Sequence, residues 1–235
     1  MKAPGYWNRD SGSILPFLLS PFSVLYALAD RINRKTTTTY HVDVPVICIG
    51  NVVAGGAGKT PVAIAVARFL IQQGWAVHFL SRGYGGSQKG PVRVVQDVHQ
   101  ASEVGDEPLL LAAVAPTWVS KDRHTGALAA IEGGADIIIM DDGFQNTSLY
   151  KDLSFLVIDA GFGLGNRRIL PAGPLREPVD AALMRSDAVI VIGDHPDPGF
   201  AFLKGLSIPV YGAKIVPHAL QKELVGEKVI AFAGI

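Results

Sequence analysis

Apolar residues in this chain fall into short, nearly unbroken runs separated by stretches with helical periodicity. The runs at 44–49, 76–80, 92–95, 136–140, 153–158, 188–192 and 229–233 read as strands, and 61–73, 107–115, 123–132 and 180–185 read as helices between them. Strands that are apolar throughout belong to a sheet covered on both faces. Their alternation with helices predicts an α/β fold with a doubly wound, mostly parallel sheet and ligands at the carboxyl ends of its strands. No internal repeat or low-complexity segment interrupts the pattern.

The amino-terminal pattern is different. From Ser11 to Ala29 no residue is charged, and Ile14, Leu15, Phe17, Leu18, Leu19, Phe22, Val24, Leu25, Tyr26 and Leu28 crowd the segment. A transmembrane span is opposed by Pro16 and Pro21, which interrupt a helical hydrogen-bond ladder, and by the polar Ser20 and Ser23. Ala27-Leu28-Ala29 resembles a signal-peptidase site, with Lys2 and Arg9 as a thin positive region, but export would strand Gly58-Lys59-Thr60, a phosphate-loop motif that works on Mg²⁺-nucleotide, where ATP is scarce. An interfacial segment fits best, with Tyr6 and Trp7 at lipid headgroups and Arg31, Arg34 and Lys35 near anionic lipid. The competing reading is that these apolar residues simply pack on the domain. The chain therefore divides into a membrane-associating segment 1–40, a nucleotide-binding domain 41–228 and the opening of a further subdomain at 229–235.

Composition narrows the function. Of 235 residues 49% are hydrophobic, which excludes general disorder, and 21 basic residues balance 21 acidic ones. That neutrality, without a local basic patch, argues against nucleic acid as a partner. The single cysteine, Cys48, lies in the first strand run and supports neither a disulfide framework nor a zinc site.

Chemistry enters directly after that strand, in Gly50-Asn51-Val52-Val53-Ala54-Gly55-Gly56-Ala57-Gly58-Lys59-Thr60-Pro61. A strand, a glycine-rich turn, Gly-Lys-Thr and a helix form a P-loop NTPase-like phosphate cradle. Gly55, Gly56, Ala57 and Gly58 bring backbone N–H groups close, Lys59 supplies a cation and Thr60 a hydroxyl for Mg²⁺. The usual spacing would place glycine at 53, where this chain has Val53. A second strand run ends in Asp141-Asp142, carboxylates placed to hold Mg²⁺, and Gln145 and Asn146 follow as donors suited to sugar hydroxyls. Gly105-Asp106-Glu107-Pro108 adds an acidic pair that serves equally as a helix cap. Arg82, Arg123 and Arg167-Arg168 stand where they could reach phosphate.

In order along the chain, GNVVAGGAGKTP, LSRGYGG, VGDEPLLLA, SKDR, DDGFQN, RILPAGPLREP and FAGI resemble the tetraacyldisaccharide 4'-kinase (lipid A 4'-kinase) family over essentially its whole length. The resemblance implies transfer of the γ-phosphate of ATP, with Mg²⁺, to the 4'-hydroxyl of a lipid-linked disaccharide 1-phosphate at the cytoplasmic face of the bacterial inner membrane, with no obligate protein partner. It implies catalytic roles for Asp106, Lys59 and Asp142, and metal contacts from Thr60, Glu107, Asp141 and Asp142. Arg82, Arg123, Gln145, Asn146, Asn166 and Arg167 would hold substrate. Two departures stand out: Asn146 where the family more often has His, and a chain that stops at FAGI. The second implies a truncated member lacking a subdomain whose histidine partners the catalytic aspartate. The rival reading is a membrane-associated regulatory P-loop ATPase of the partition or septum-positioning type, whose loop adds a lysine where this chain has Asn51-Val52-Val53-Ala54. A third is a membrane adaptor with a relic nucleotide site.

Overall fold

The computed structural model describes residues 3–9, 12–193, 202–203 and 205–216. The strand expected at 229–233, and with it the segment 229–235, lies outside the described residues. Eight strands form one sheet: β1 (Val46–Gly50), β2 (Val77–Ser81), β3 (Val92–Arg93), β4 (Thr117–Val119), β5 (Ile137–Asp141), β6 (Leu153–Asp159), β7 (Ala188–Ile192) and β8 (Val210–Ala213). Their spatial order is β3-β4-β2-β5-β1-β6-β7-β8, and every pairing is parallel except β3 with β4. The chain winds outward from β1 to one side first and to the other afterwards. The carboxyl end of β1 is therefore the crevice at which such folds bind ligands.

Both faces of the sheet are covered, which is why its strands are apolar at every position. Ile47, Ile49, Ile137 and Ile139 meet Val62, Ala63 and Ala67 of α2 (Lys59–Gln72) and Leu111 of α4 (Asp106–Ala112). Their neighbours Val46, Cys48, Ile138 and Met140 point the other way, toward Ala127 and Ala130 of α5 (Arg123–Glu132) and Ala182 of α6 (Val179–Leu183). This period of two continues past the apolar run and puts Asp141 on the α2 face.

Within the described residues the expected elements are present, with corrected ends. Helix α2 starts at Lys59, two residues before Pro61, so the proline occupies the first turn, where its missing N–H costs nothing. Helix α4 stops at Ala112, short of 115, and α6 covers Val179–Leu183. The run 92–95 shortens to Val92–Arg93 and lies antiparallel at the sheet edge. Strands β4 and β8 and the short helix α3 (Ala101–Val104) lacked a legible signal. β4 is three residues long between Pro116 and Ser120, and β8 carries a glycine in a mostly exposed edge.

Helix α1 (Leu15–Thr36) runs unbroken through Pro21, with Pro16 in its first turn. Its inward stripe is Pro16, Ser20, Ser23, Ala27, Asp30 and Arg34, buried or half-buried at alternating spacings of four and three. Ser23 Oγ donates to Ile169 O at 2.7 Å and accepts from Ala172 N at 3.2 Å, while Arg168 donates to Ser20 Oγ at 2.9 Å. The apolar residues face away from the protein: Phe17 is 73% exposed and Val24 67%, and Leu18, Phe22, Leu25, Leu28 and Ile32 accompany them. Core packing of the apolar stripe is thereby overturned, because the face that packs is the polar one. The helix is long and apolar enough to cross a membrane by length and composition, and its outward apolar face suggests membrane association.

Candidate active site

The phosphate loop is braced by a segment that lies far away in sequence. Val53 forms an antiparallel bridge with Leu175, Ala54 N donates to Pro174 O at 2.7 Å, and Arg176 N donates to Val52 O at 2.7 Å. Val53, only 5% exposed, fills that contact, which accounts for a valine at the usual glycine position. Gly58 closes the loop at φ 74° as the N-cap of α2, and a Cβ there would collide with Ile192 Cδ1. Gly55, Gly56 and Ala57 form the turn between.

Lys59 is almost fully buried, donates to Gly55 O at 3.3 Å and lies 3.7 Å from Asp142 Oδ1. Thr60 Oγ1 donates to Asp141 Oδ2 at 2.8 Å, whereas Asp141 Oδ1 is buried with no hydrogen-bond partner. Burial, with Glu107 and Asp142 adding, pushes the Asp141 carboxyl up to about 7. Among the described residues no three His, Cys, Asp or Glu gather into a metal cage. The donors present still fit Mg²⁺, which takes one or two carboxylates and completes its octahedron with water and phosphate oxygens. The orphaned Asp141 oxygen beside the Thr60 hydroxyl is such a partial set.

Asp106 opens α4, exposed, and Glu107 behind it is half-buried. Burial raises the Glu107 pKa, and the charges that act on it include Lys59, Asp142 and Asp106, so this acidic turn faces the phosphate loop. Gly105, at φ 90°, lets the GDEP turn lie against the LSRGYGG turn, since a Cβ there would meet Tyr84 O at 2.6 Å. Arg82 on that turn is exposed. Arg123 is 97% buried by its 3% exposure, donates to Ser120 O and leaves Nε without a partner. Burial, reinforced by Arg82, lowers its pKa to about 10.

Gln145 is tied at both ends of its amide. Nε2 donates to Asn51 O at 2.9 Å and to Glu177 Oε1 at 3.0 Å, while Oε1 accepts from Arg176 at 3.1 Å. Asn146 Oδ1 accepts from Leu149 N at 3.2 Å and its Nδ2 donates to Ser148 Oγ at 3.1 Å. Lys151, whose pKa burial lowers, donates to Phe144 O and Asn146 O beneath the same loop. Asn166 and Arg167 sit elsewhere: Asn166 Nδ2 donates to Tyr6 O at 3.0 Å and Ala172 O at 2.9 Å, beside the 3-10 turn Gly5–Trp7, and Arg167 stacks 5.4 Å over Phe202.

Two site residues carried no sequence assignment. Arg176 pairs with both oxygens of Asp142, at 3.0 and 3.2 Å, and Glu177 is buried behind Gln145. Both lie within LPAGPLREP, whose specificity was visible while its place against the phosphate loop was not.

A family model for tetraacyldisaccharide-1-P 4'-kinase, LpxK, matches residues 15–235. The chain belongs to that kinase family. A tetraacyldisaccharide 4'-kinase from Paramagnetospirillum magneticum is 51% identical over 235 residues, covering all of this chain and 72% of the relative. Another from Parvibaculum lavamentivorans is also 51% identical, covering all of this chain and 70% of the relative. Among solved structures, LpxK from Aquifex aeolicus in complex with ATP superposes with a TM-score of 0.72 at 33% identity, over 84% of this chain and 64% of that one. The resemblance carried by DDGFQN and LPAGPLREP is thus confirmed at family level, and the partition-type ATPase is not favoured.

Proposed function

We propose that this chain transfers the γ-phosphoryl group of ATP to the 4'-hydroxyl of a tetraacylated disaccharide 1-phosphate, giving the doubly phosphorylated lipid of lipid A biosynthesis. The observation that carries the reading is the convergence of Lys59, Thr60, Asp141, Asp142 and the Asp106-Glu107 turn at one loop, in a chain of this kinase family. Phosphoryl transfer of this kind asks chiefly for positioning and charge neutralisation.

Backbone N–H groups of 55–60 cradle the phosphates, and the Lys59 ammonium lies against their oxygens. Thr60, Asp141, Asp142 and Glu107 would hold Mg²⁺, which would supply charge neutralisation to the nucleotide phosphates. Asp106 orients the attacking hydroxyl and accepts its proton as the O–P bond forms and ADP departs. Arg82 and Arg123 grip the anionic headgroup. A cleft of about 460 Å³ lined by Asp159, Ala160, Ile192, Lys214 and Ile215, beside Gly58, receives the nucleoside.

Helix α1 lies along the domain through its polar stripe and offers its apolar face to the cytoplasmic leaflet of the inner membrane, where the acylated substrate resides. Asn166 and Arg167, near the amino-terminal segment, bind at the headgroup level. The test is incubation with γ-labelled ATP and the lipid disaccharide, followed by product separation. Label in the lipid is expected, and label only in water-soluble phosphate overturns the reading. Asp106→Ala is expected to lower kcat by roughly 10²–10⁴-fold with ATP binding retained; an unchanged kcat removes Asp106 from the step.

A further inference from the structure

Helix α1 is joined to the reaction centre by an unbroken series of polar contacts. On α1, Arg34 Nε donates to Asp30 Oδ2 at 2.6 Å, and Arg34 NH2 lies 3.2 Å from Glu177 Oε2. That NH2 is buried and makes no aligned hydrogen bond, so its tie to Glu177 is ionic. Glu177, 2% exposed, also accepts from Arg185 NH2 at 2.5 Å through Oε2. Its other oxygen accepts from Gln145, whose carbonyl accepts from Arg176, which holds Asp142. Asp142 in turn lies beside Lys59. Only one orientation of the Gln145 amide satisfies Glu177 and Arg176 together, and the same orientation lets Nε2 donate to Asn51 O at 2.9 Å.

We propose that Arg34 is a positioning residue for phosphoryl transfer: through Glu177 it sets Gln145 and the Arg176–Asp142 pair, so that the seating of the membrane-facing helix determines the geometry of the metal-side aspartate. The proposal rests on the reading of Asp142 given above. Two features favour it over simple bracing of a helix. Arg34 holds its two carboxylates with the fork of one guanidinium, which a lysine cannot reproduce. Furthermore, Glu177 is buried, with Oε2 held by Arg34 and Arg185 together and Oε1 accepting from Gln145, so loss of Arg34 removes one of the two cations that fix the carboxylate against which Gln145 is set. Asp142 itself sits at φ 55°, a left-handed conformation uncommon outside glycine, with its carboxylate held there by Arg176 and Lys59.

The experiment compares the full chain with Arg34→Met and Arg34→Lys in detergent micelles, at saturating ATP and lipid. Arg34→Met is expected to lower kcat about 10- to 100-fold, the scale for a small misplacement of a reacting group, with KM for ATP unchanged. Arg34→Lys should recover part of that loss. Amide hydrogen exchange should quicken in 141–146 of Arg34→Met while Val46–Gly50 keeps its protection. Unchanged kcat and unchanged exchange in 141–146 overturn the proposal, as does a loss confined to vesicle binding. Should Arg34→Met fail to fold, Asp30→Asn weakens the same fork while leaving the arginine in place, and the same readouts decide. If the unaltered chain does not phosphorylate the lipid, the functional reading fails, while exchange at 141–146 still decides this proposal.

Discussion

Asp141 shows how one side chain inherits its chemistry from its depth. It is 1% exposed, one oxygen is held by Thr60, and its pKa is moved from the usual 3.8 to about 7. The folded, metal-free chain therefore prefers Asp141 protonated, and this contribution to stability is present below about pH 4 and lost as pH rises through about 7. A divalent cation must displace that proton, so binding strengthens with pH. The thermal shift produced by MgADP over ADP alone should grow between about pH 5.5 and about pH 8; a flat profile would remove Asp141 from the metal's contacts. Val53 is a second case. Restoring the usual glycine with Val53→Gly should lower stability by about 2 kcal/mol in urea denaturation, because a buried side chain is lost and backbone freedom gained. Tighter ADP binding with unchanged stability would show instead that valine is a defect in the loop.

At the scale of elements, α1 reverses the usual amphipathic rule, with serines, Asp30 and Arg34 against the protein and aromatic and aliphatic side chains outside. Its outer residues therefore contribute little to folding and most of any lipid contact. Phe22→Ser combined with Leu25→Ser should cut co-sedimentation with anionic vesicles at least about tenfold, since each large apolar side chain is worth about 1.5–3 kcal/mol on transfer. The melting temperature should stay within a degree or two. A large fall in melting temperature with vesicle binding intact would show that this face packs on protein. Sequence showed the absence of charge in this segment but not its direction, because the polar stripe finds its partners in 168–177, more than a hundred residues away.

Across the whole molecule, the legible part was whatever burial or local spacing dictates. Among the described residues, six strand runs and four helices followed from apolar pattern, and the phosphate loop and the DDG turn from residue types that only phosphate and metal chemistry groups together. Strands β4 and β8 escaped because a short or exposed strand leaves too few side chains to form a pattern. The roles of Arg176 and Glu177 escaped for a different reason: nothing local distinguishes an arginine or a glutamate that finds a partner inside the fold from a solvated one. What the sequence by itself determined was the class of fold, the nucleotide chemistry and the family, since each is written in contiguous residues. Only the tertiary structure decided that LPAGPLREP braces the phosphate loop, that Gln145 is held at both ends, and that α1 reaches Asp142 through Glu177. Those relations depend on parallel crossovers that bring distant segments to the carboxyl ends of the central strands, and a crossover leaves no periodicity in the chain that makes it.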